Sequence, residues 1–175
     1  MTQITAETLA KLATFDTPTI CNLVELFEVR PRNVGFMDRT IKAAYPELPP
    51  MVGFAATVTC RTSFDAKIGK AYAIDDQAAR FGELSGPPVV VFQDLDNPPL
   101  AATFGEIMCT TYKTFGAVGL ITNGPGRDLD QVHAIQFPVF TDGAACAHGY
   151  IRMFDFHIPV QVGGAAIFPD DLLHG

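Results

Sequence analysis

Hydrophobic positions along the chain fall into two kinds of run. Residues 52–60 (VGFAATVTC) and 89–92 are unbroken apolar or β-branched stretches, which are typical of strands buried on both faces. Residues 70–84 and 103–114 instead carry apolar side chains at helical spacing. Further strands are predicted at residues 117–122, 137–140, 158–162 and 165–168. Because helices alternate with strands at first and strands dominate later, the pattern predicts a single α/β domain over residues 1–175 with a mixed sheet.

Local signals predict where the helices begin. Thr5 is the expected N-cap of a first short helix. Thr17 followed by Pro18 is typical of a second start, with Thr17 as the N-cap and proline at the first helical position. Residues 31–50 contain prolines, glycine and mixed charge, and are expected to be mostly loop. Thr103 is the expected N-cap of the helix that runs to residue 114.

Composition narrows the class of protein. The chain has a net charge of −7 without a block of like charge, so no basic face for nucleic acid is expected. No apolar run approaches the roughly 20 residues of a membrane span. The N-terminus, MTQITAETLA, lacks the basic and apolar segments of a secretory signal. The four cysteines form no zinc-binding pair and are predicted to be reduced core thiols of a cytoplasmic protein.

Candidate chemistry concentrates around the helix that starts at Thr103 and the loop that follows the next strand. The first amides of a helix lack partners inside it and suit a carboxylate ligand. The strand at residues 117–122 leads into the loop 123–126 (NGPG) and then to Arg127 and Asp128. An arginine can clamp a keto-acid carboxylate, and an aspartate can hold a hard divalent cation. An aldolase needs both kinds of group.

Spacing by itself leaves plainer interpretations open. Thr103 and Glu106 fit a capping box, which spacing favours over a catalytic carboxylate. Arg127 and Asp128 could be a turn residue and a solvated charge. The remaining polar candidates are expected to be loop-solvating or surface residues: Asp94, Asp96, His133 and His148.

A longer segment changes this balance. The sequence FGEIMCTTYKTFGAVGLITNGPGRDLDQVHAIQFPVF resembles the signature shared by 4-hydroxy-4-methyl-2-oxoglutarate aldolases and the regulator of ribonuclease activity A. That signature has a Gly-Glu or Gly-Asp that opens a helix, a glycine-flanked apolar strand, a loop ending in Arg-Asp, and Phe-Pro-Val-Phe. The stretches DTPTICNL, VGFAATVTC and IPVQVGGAAIFPDDLLHG also resemble parts of the family, so the similarity covers nearly the whole chain.

The resemblance implies layered β-sheets flanked by helices, assembled as a homotrimer or a pair of trimers with sites between subunits. It implies that Asp128 ligates Mg²⁺ or Mn²⁺, with Glu106 as an outer-shell acid. Arg127 and the helix start, at Gly105, Ile107 and Met108, would bind the pyruvyl part of the substrate. The relatives continue into a C-terminal segment that gives an acidic residue to the neighbouring subunit's metal site. The expectation is therefore twofold: either the protein lacks that acidic residue, or the present sequence omits a tail that carries it.

The implied activity is that of a class II pyruvate aldolase or oxaloacetate decarboxylase, acting through a metal-stabilised pyruvate enolate. Lys113 is expected to point away from the site, so no Schiff base is predicted. The alternative is a non-catalytic regulator that binds a ribonuclease or helicase. Two positions depart from the signature: Asn123 replaces an aspartate, and Asp170 replaces a glycine.

Overall fold

The structure is a computed structural model that describes residues 4–63 and 72–175. Its helices are α1 (Ala6–Leu12), α2 (Thr17–Glu25), α3 (Ile74–Ala78), α4 (Glu106–Thr114) and α5 (Leu129–Ala134). Its strands are β1 (Lys42–Ala43), β2 (Val52–Arg61), β3 (Pro88–Asp94), β4 (Gly119–Thr122), β5 (Val139–Thr141), β6 (Arg152–Phe156), β7 (Val160–Val162), β8 (Ala165–Ile167) and β9 (Leu172–His174). A 3₁₀ turn spans Phe81–Glu83.

The main sheet has the strand order β1-β5-β4-β3-β2-β6, with β9 also paired to β2. Strands β2 to β5 are parallel to one another, whereas β1 is antiparallel to β5, and β6 and β9 are antiparallel to β2. Strands β7 and β8 form a separate antiparallel hairpin. Each step from β2 to β5 moves one strand along the sheet in the same direction, so their four carboxyl ends lie at one edge. The predicted α/β fold with a mixed sheet is confirmed.

Alternating residues of the central strands pack into two separate cores. Val90 and Phe92 of β3 join a cluster that includes Met108 and Tyr112 of α4, on the helical face. Val89 and Val91 face the other way, into a cluster with residues of the β7–β8 hairpin. Because successive side chains of a strand point to opposite faces, covering both faces requires the unbroken apolar run that the sequence shows.

Several predicted boundaries are wrong. The N-cap of α2 is Asp16, whose carboxylate accepts from the amide of Thr19 at 2.7 Å, so the cap lies one residue before Thr17. The helix predicted at residues 70–84 is instead α3 followed by the 3₁₀ turn, and residues 70 and 71 lie outside the described ranges. The strand predicted at residues 158–162 begins at residue 160. Thr103 is not the N-cap of α4, which begins at Glu106 after Gly105.

Four elements were not predicted, namely β1, β6, β9 and α5. Strands β1, β6 and β9 depend on pairing with distant strands, because their own sequences are short or polar on one face. Helix α5 has only six residues and too little sequence for a helical period. Among the residues described, no helix is long and apolar enough to cross a membrane.

Candidate functional site

The loops that follow β3, β4 and β5 are joined beyond the edge of the sheet. Phe104 forms a parallel bridge with Gly126, and Gly126 forms a second one with Ala144. The amide of Arg127 donates to the carbonyl of Phe104 at 3.1 Å. A Cβ at Gly126 would lie 2.0 Å from the Phe104 ring, so this close approach requires glycine. The bridges bring the start of α4 beside Arg127 and Asp128.

Asp128 connects two helices. Its backbone is in the left-handed region (φ 54°) at the N-cap position of α5, a conformation that aspartate tolerates better than most residues. Its side chain does not cap α5. Instead, Oδ2 accepts a 3.3 Å hydrogen bond from the backbone amide of Glu106, the first residue of α4. The positive end of the α4 dipole therefore helps to hold the carboxylate.

Arg127 and Gly105 complete this contact. The Nε atom of Arg127 lies 3.6 Å from Oδ2 of Asp128, and both side chains are about one-third exposed. A Cβ at Gly105 would lie 2.7 Å from Oδ2 of Asp128 and 3.2 Å from Nε of Arg127. Gly105 has an extended backbone (φ −159°) that any residue could adopt, so glycine is needed here for space rather than for conformation.

The capping-box interpretation of Thr103 and Glu106 is wrong. Thr103 is fully buried, two residues before the actual N-cap, and its amide donates to the carbonyl of Pro125 at 2.8 Å. Glu106 is exposed at the helix start, and within the described ranges its carboxylate accepts no hydrogen bond. The amides of Ile107 and Met108 also have no acceptor there. Unpartnered amides at a helix start are donors of the kind that a carboxylate ligand uses.

Asp94 and Asp96 do not solvate a loop, contrary to prediction. Both are buried at the end of β3, and Asp96 accepts hydrogen bonds from the amides of Thr62 and Ser63 at 2.8 Å. Asp96 also pairs with Arg61 at 3.2 Å. Burial raises the pKa of Asp94. Their position after an apolar strand pointed to this edge of the sheet, but sequence gave no sign of their burial.

The cysteines divide into two groups. Cys60 and Cys109 are buried, as predicted, whereas Cys21 is half-buried and Cys146 is exposed, so those two are not core thiols. Burial, with the nearby charge of Asp128, raises the pKa of Cys109 to about 12. A thiol with that pKa stays protonated at neutral pH and is a poor nucleophile.

The remaining candidates lie away from the site or at the surface. His133 pairs with Glu47 at 2.7 Å, and His148 is exposed. Lys113 lies in the last turn of α4 and donates to the carbonyl of Ile135, so the prediction that it points away from the helix start is confirmed.

A family model described as RraA-like, Aldolase/RraA, matches residues 17–175. The chain belongs to this family. It is 28% identical over 92 residues to a protein of Halalkalibacterium halodurans that carries the provisional name 4-hydroxy-4-methyl-2-oxoglutarate aldolase. That alignment covers 52% of this chain and 44% of the relative, so the chain matches less than half the length of that protein.

Solved structures resemble this RraA-like chain in fold. One, described among novel cellulases from gut-associated microbes, has a TM-score of 0.79 at 21% identity and covers 100% of this chain and 76% of its own. RraAS2 of Streptomyces coelicolor, described as an unusual member of the RNase ES inhibitor RraA family, has a TM-score of 0.74 at 17% identity, with 99% and 82% covered. RraA from Thermus thermophilis has a TM-score of 0.59 at 16% identity, and the match covers 87% of this chain and 84% of that protein. Identities this low show the shared fold alone.

The two departures from the RraA-like signature have structural reasons. The side chain of Asn123 accepts from the amide of Asp94 at 2.7 Å and donates to its carbonyl at 2.9 Å, a pairing that aspartate could only half make. Asp170 has φ 68°, where glycine is favoured, and its carboxylate accepts hydrogen bonds from both the amide and the hydroxyl of Ser85. These bonds offset the cost of a left-handed non-glycine residue.

Proposed function

We propose that this chain is a metal-dependent carbon–carbon lyase, a class II pyruvate aldolase or oxaloacetate decarboxylase acting on a pyruvate-derived keto acid. The observation that carries the proposal is the meeting of Arg127, Asp128 and the start of α4. A cation, a carboxylate and unpartnered helix amides share one partly exposed place at the carboxyl edge of a parallel sheet. Ligands of open α/β sheets favour that edge.

The donor set fits a hard divalent cation. Within the described ranges no group of three or more His, Cys, Asp or Glu side chains is placed to hold a metal ion, and at this place one chain offers the two carboxylates of Asp128 and Glu106. Mg²⁺ is usually held by one or two carboxylates, with water and substrate oxygens as its other ligands. Asp128 would be the direct ligand and Glu106 an outer-shell acid. When bound, the ion polarises the keto carbonyl and stabilises negative charge on its oxygen.

The chain's own groups would bind and orient the keto acid. The amides of Ile107 and Met108 would receive its carboxylate, and the Arg127 guanidinium would bind the oxygen that becomes negative. In oxaloacetate the bond between C3 and C4 breaks, CO₂ leaves, and the electron pair forms the pyruvate enolate. In an aldol substrate the C4 hydroxyl would lose its proton to water as the same bond breaks, so that C4 leaves as a carbonyl compound and the electron pair forms the enolate. Protonation of the enolate at C3 would then give pyruvate in both reactions. The fixed positive charge of Arg127 near the enolate oxygen would lower the barrier to both reactions.

An oxaloacetate assay tests the proposal. Pyruvate release should require Mg²⁺ or Mn²⁺, stop in a chelator and return when the ion is restored. Borohydride added with substrate should trap no covalent adduct, because no lysine takes part. Activity that survives chelation, or a trapped lysine, would falsify the class II assignment.

The alternative within the family is a regulator that binds a ribonuclease or helicase without catalysis. Two of the solved structures with a similar fold are described as RraA proteins, and they are the reason for considering this alternative. The proposal favours the enzyme because Arg127 and Asp128 are both present and in contact. A protein that binds neither Mg²⁺ nor keto acid, and releases no pyruvate, would support the regulator.

We also propose that the chain assembles as a homotrimer or hexamer. Helix α2 has no buried residue, and the apolar side chains of Leu26 and Phe27 at its end are 76% and 73% exposed. Ile107, beside the candidate site, is 76% exposed. Light scattering coupled to size-exclusion chromatography would measure the mass in solution. A monomer across the micromolar range would contradict this assembly.

A further inference from the structure

One buried carboxylate next to the candidate site takes no part in the chemistry proposed above. Asp94 ends β3 and is 2% exposed. Within residues 4–63 and 72–175, no cation forms an ion pair with it. A carboxyl group buried without a cation is costly to keep, so its retention calls for a structural reason.

The side chain of Asp94 collects donors from three segments. Its Oδ2 accepts from the hydroxyl of Thr62, just after β2, at 3.1 Å. Its Oδ1 accepts from the amide of Asp96 at 2.9 Å. The hydroxyl of Thr103, which precedes α4, makes a longer contact with Oδ2 at 3.5 Å. The carboxylate therefore joins the end of β2, its own loop and the segment that leads to the site.

The backbone of Asp94 is fixed to the opposite loop. Asn123 pairs with both its amide and its carbonyl, and so extends the β3–β4 pairing by a side chain. The next residue, Gly124, packs directly against this group. A Cβ there would lie 2.0 Å from Oγ1 of Thr103 and 3.3 Å from Oδ2 of Asp94. Both site loops are thus in contact with one residue.

The contacts continue from Asp94 to the site itself. Thr103 donates its amide to Pro125, and Arg127 donates its amide to Phe104. These two bonds tie the segment before α4 to the loop that carries Arg127 and Asp128. The distance between the Glu106 amide and the Asp128 carboxylate depends on how these segments are aligned.

We propose that Asp94 is a positioning residue, which aligns the loop carrying Arg127 and Asp128 with the start of α4. Its side chain acts through Thr103 and by packing against Gly124, its backbone is held by Asn123, and it does not touch the ligand. Its effect on metal binding rests on the proposed function, whereas its effect on the loops does not. Three donors converge on Asp94, so alanine leaves them without an acceptor, while asparagine retains one.

Hydrogen exchange followed by mass spectrometry tests the alignment without reference to activity. In Asp94→Ala, peptides covering residues 100–108 and 123–129 should exchange at least roughly 10-fold faster, and Asp94→Asn should lie between this variant and the wild type. A peptide covering residues 52–57 should keep its protection. Asp170→Asn is the matched control, because Asp170 also joins two segments, at Ser85.

Calorimetric titration with MgCl₂, without substrate, tests the consequence for the site. Asp94→Ala should weaken Mg²⁺ affinity by roughly 10- to 100-fold, the usual cost of losing a supporting contact around a metal site. Asp170→Asn should leave the affinity unchanged. In oxaloacetate turnover, Asp94→Asn should recover part of the loss in kcat/KM.

The outcomes separate the two proposals. Unchanged exchange in both site loops would overturn the positioning role, as would faster exchange with unaltered Mg²⁺ affinity. If Asp94→Ala does not fold, Asp94→Asn takes its place in the test. Exchange at the wild-type rate in both site loops of Asp94→Asn would then overturn the positioning role. If the wild type binds no Mg²⁺ and releases no pyruvate, the proposed function fails, while the exchange data still decide on Asp94.

Discussion

The carboxylate of Asp128 lies 3.3 Å from the backbone nitrogen of Glu106, although 22 positions separate the two residues in the sequence. An internal carboxylate thus occupies the helix-start amide next to those at which a substrate carboxylate is proposed to bind. The amides of Ile107 and Met108 stay available beside it. Under the proposed function, Asp128 and the keto acid would use neighbouring donors at one helix terminus, so we expect small shifts of Asp128 to affect the binding of both metal and substrate.

Gly105→Ala should displace Asp128 while leaving the fold intact. The added Cβ would lie 2.7 Å from Oδ2 of Asp128, and the aspartate side chain can move more easily than the backbone. We expect Mg²⁺ affinity to fall roughly 10-fold, with a change in unfolding free energy of no more than about 1 kcal/mol. Titration calorimetry and denaturant unfolding measure the two effects. Gly82→Ala, where no atom lies within 4 Å, is the control. Equal Mg²⁺ affinities in both variants would count against the site.

Arg127→Ala should lose roughly two to three decades of turnover on oxaloacetate, the scale of removing one preorganised charge-stabilising donor. Arg127→Lys should recover little, since lysine cannot make the bidentate contact of a guanidinium. Steady-state kinetics measures both variants. Arg80→Lys is a control, because Arg80 is a similarly exposed arginine paired with Glu83. A fully active Arg127→Ala would favour the regulator over the enzyme.

Glu106→Gln should fold normally and bind Mg²⁺ roughly 10- to 100-fold more weakly. Its stability should hardly change, because Glu106 forms no capping box with Thr103. Glu7→Gln removes an acid from the first turn of α1 and controls for the loss of a favourable charge near a helix dipole. Thermal unfolding measures a role of Glu106 in stabilising the start of α4, and metal titration measures its role in holding Mg²⁺. Lower stability with unchanged metal affinity would show that Glu106 serves only the helix.

Asp94→Asn should change how stability depends on pH. Burial raises the pKa of Asp94 in the folded protein, so its ionisation opposes folding. The neutral carboxyl group therefore favours the folded state. This contribution is complete below pH about 4, the pKa of an aspartate in the unfolded chain, and is lost as the pH rises through the higher pKa of Asp94 in the folded protein. The wild type should therefore lose stability relative to Asp94→Asn as pH rises above about 4. Denaturant unfolding of both proteins across this range measures the difference. A difference that is constant, or that grows in favour of the wild type, contradicts the prediction.

Local patterns were sufficient for much of the fold. The unbroken apolar run of β3 predicted a strand covered on both faces, and its alternate residues do enter two cores. The glycine loop and Arg127-Asp128 were also predicted at a strand end, because turn residues and apolar runs act over a few neighbouring positions. Strands β1, β6 and β9 were missed because their formation depends on partners far along the chain.

The sequence by itself therefore determined the α/β class, the family, and which short segment carries the candidate chemistry. Tertiary structure alone decided that Gly105 rather than Thr103 precedes α4, that Asp128 reaches the amide of Glu106, and that Asp94 is buried. Capping signals such as Thr103-x-x-Glu106 describe what a helix would prefer in isolation. Here the parallel pairing of Phe104 with Gly126, and the hydrogen bond from the Thr103 amide to the Pro125 carbonyl, hold Thr103 outside the helix, so contacts between distant segments outweigh the local preference.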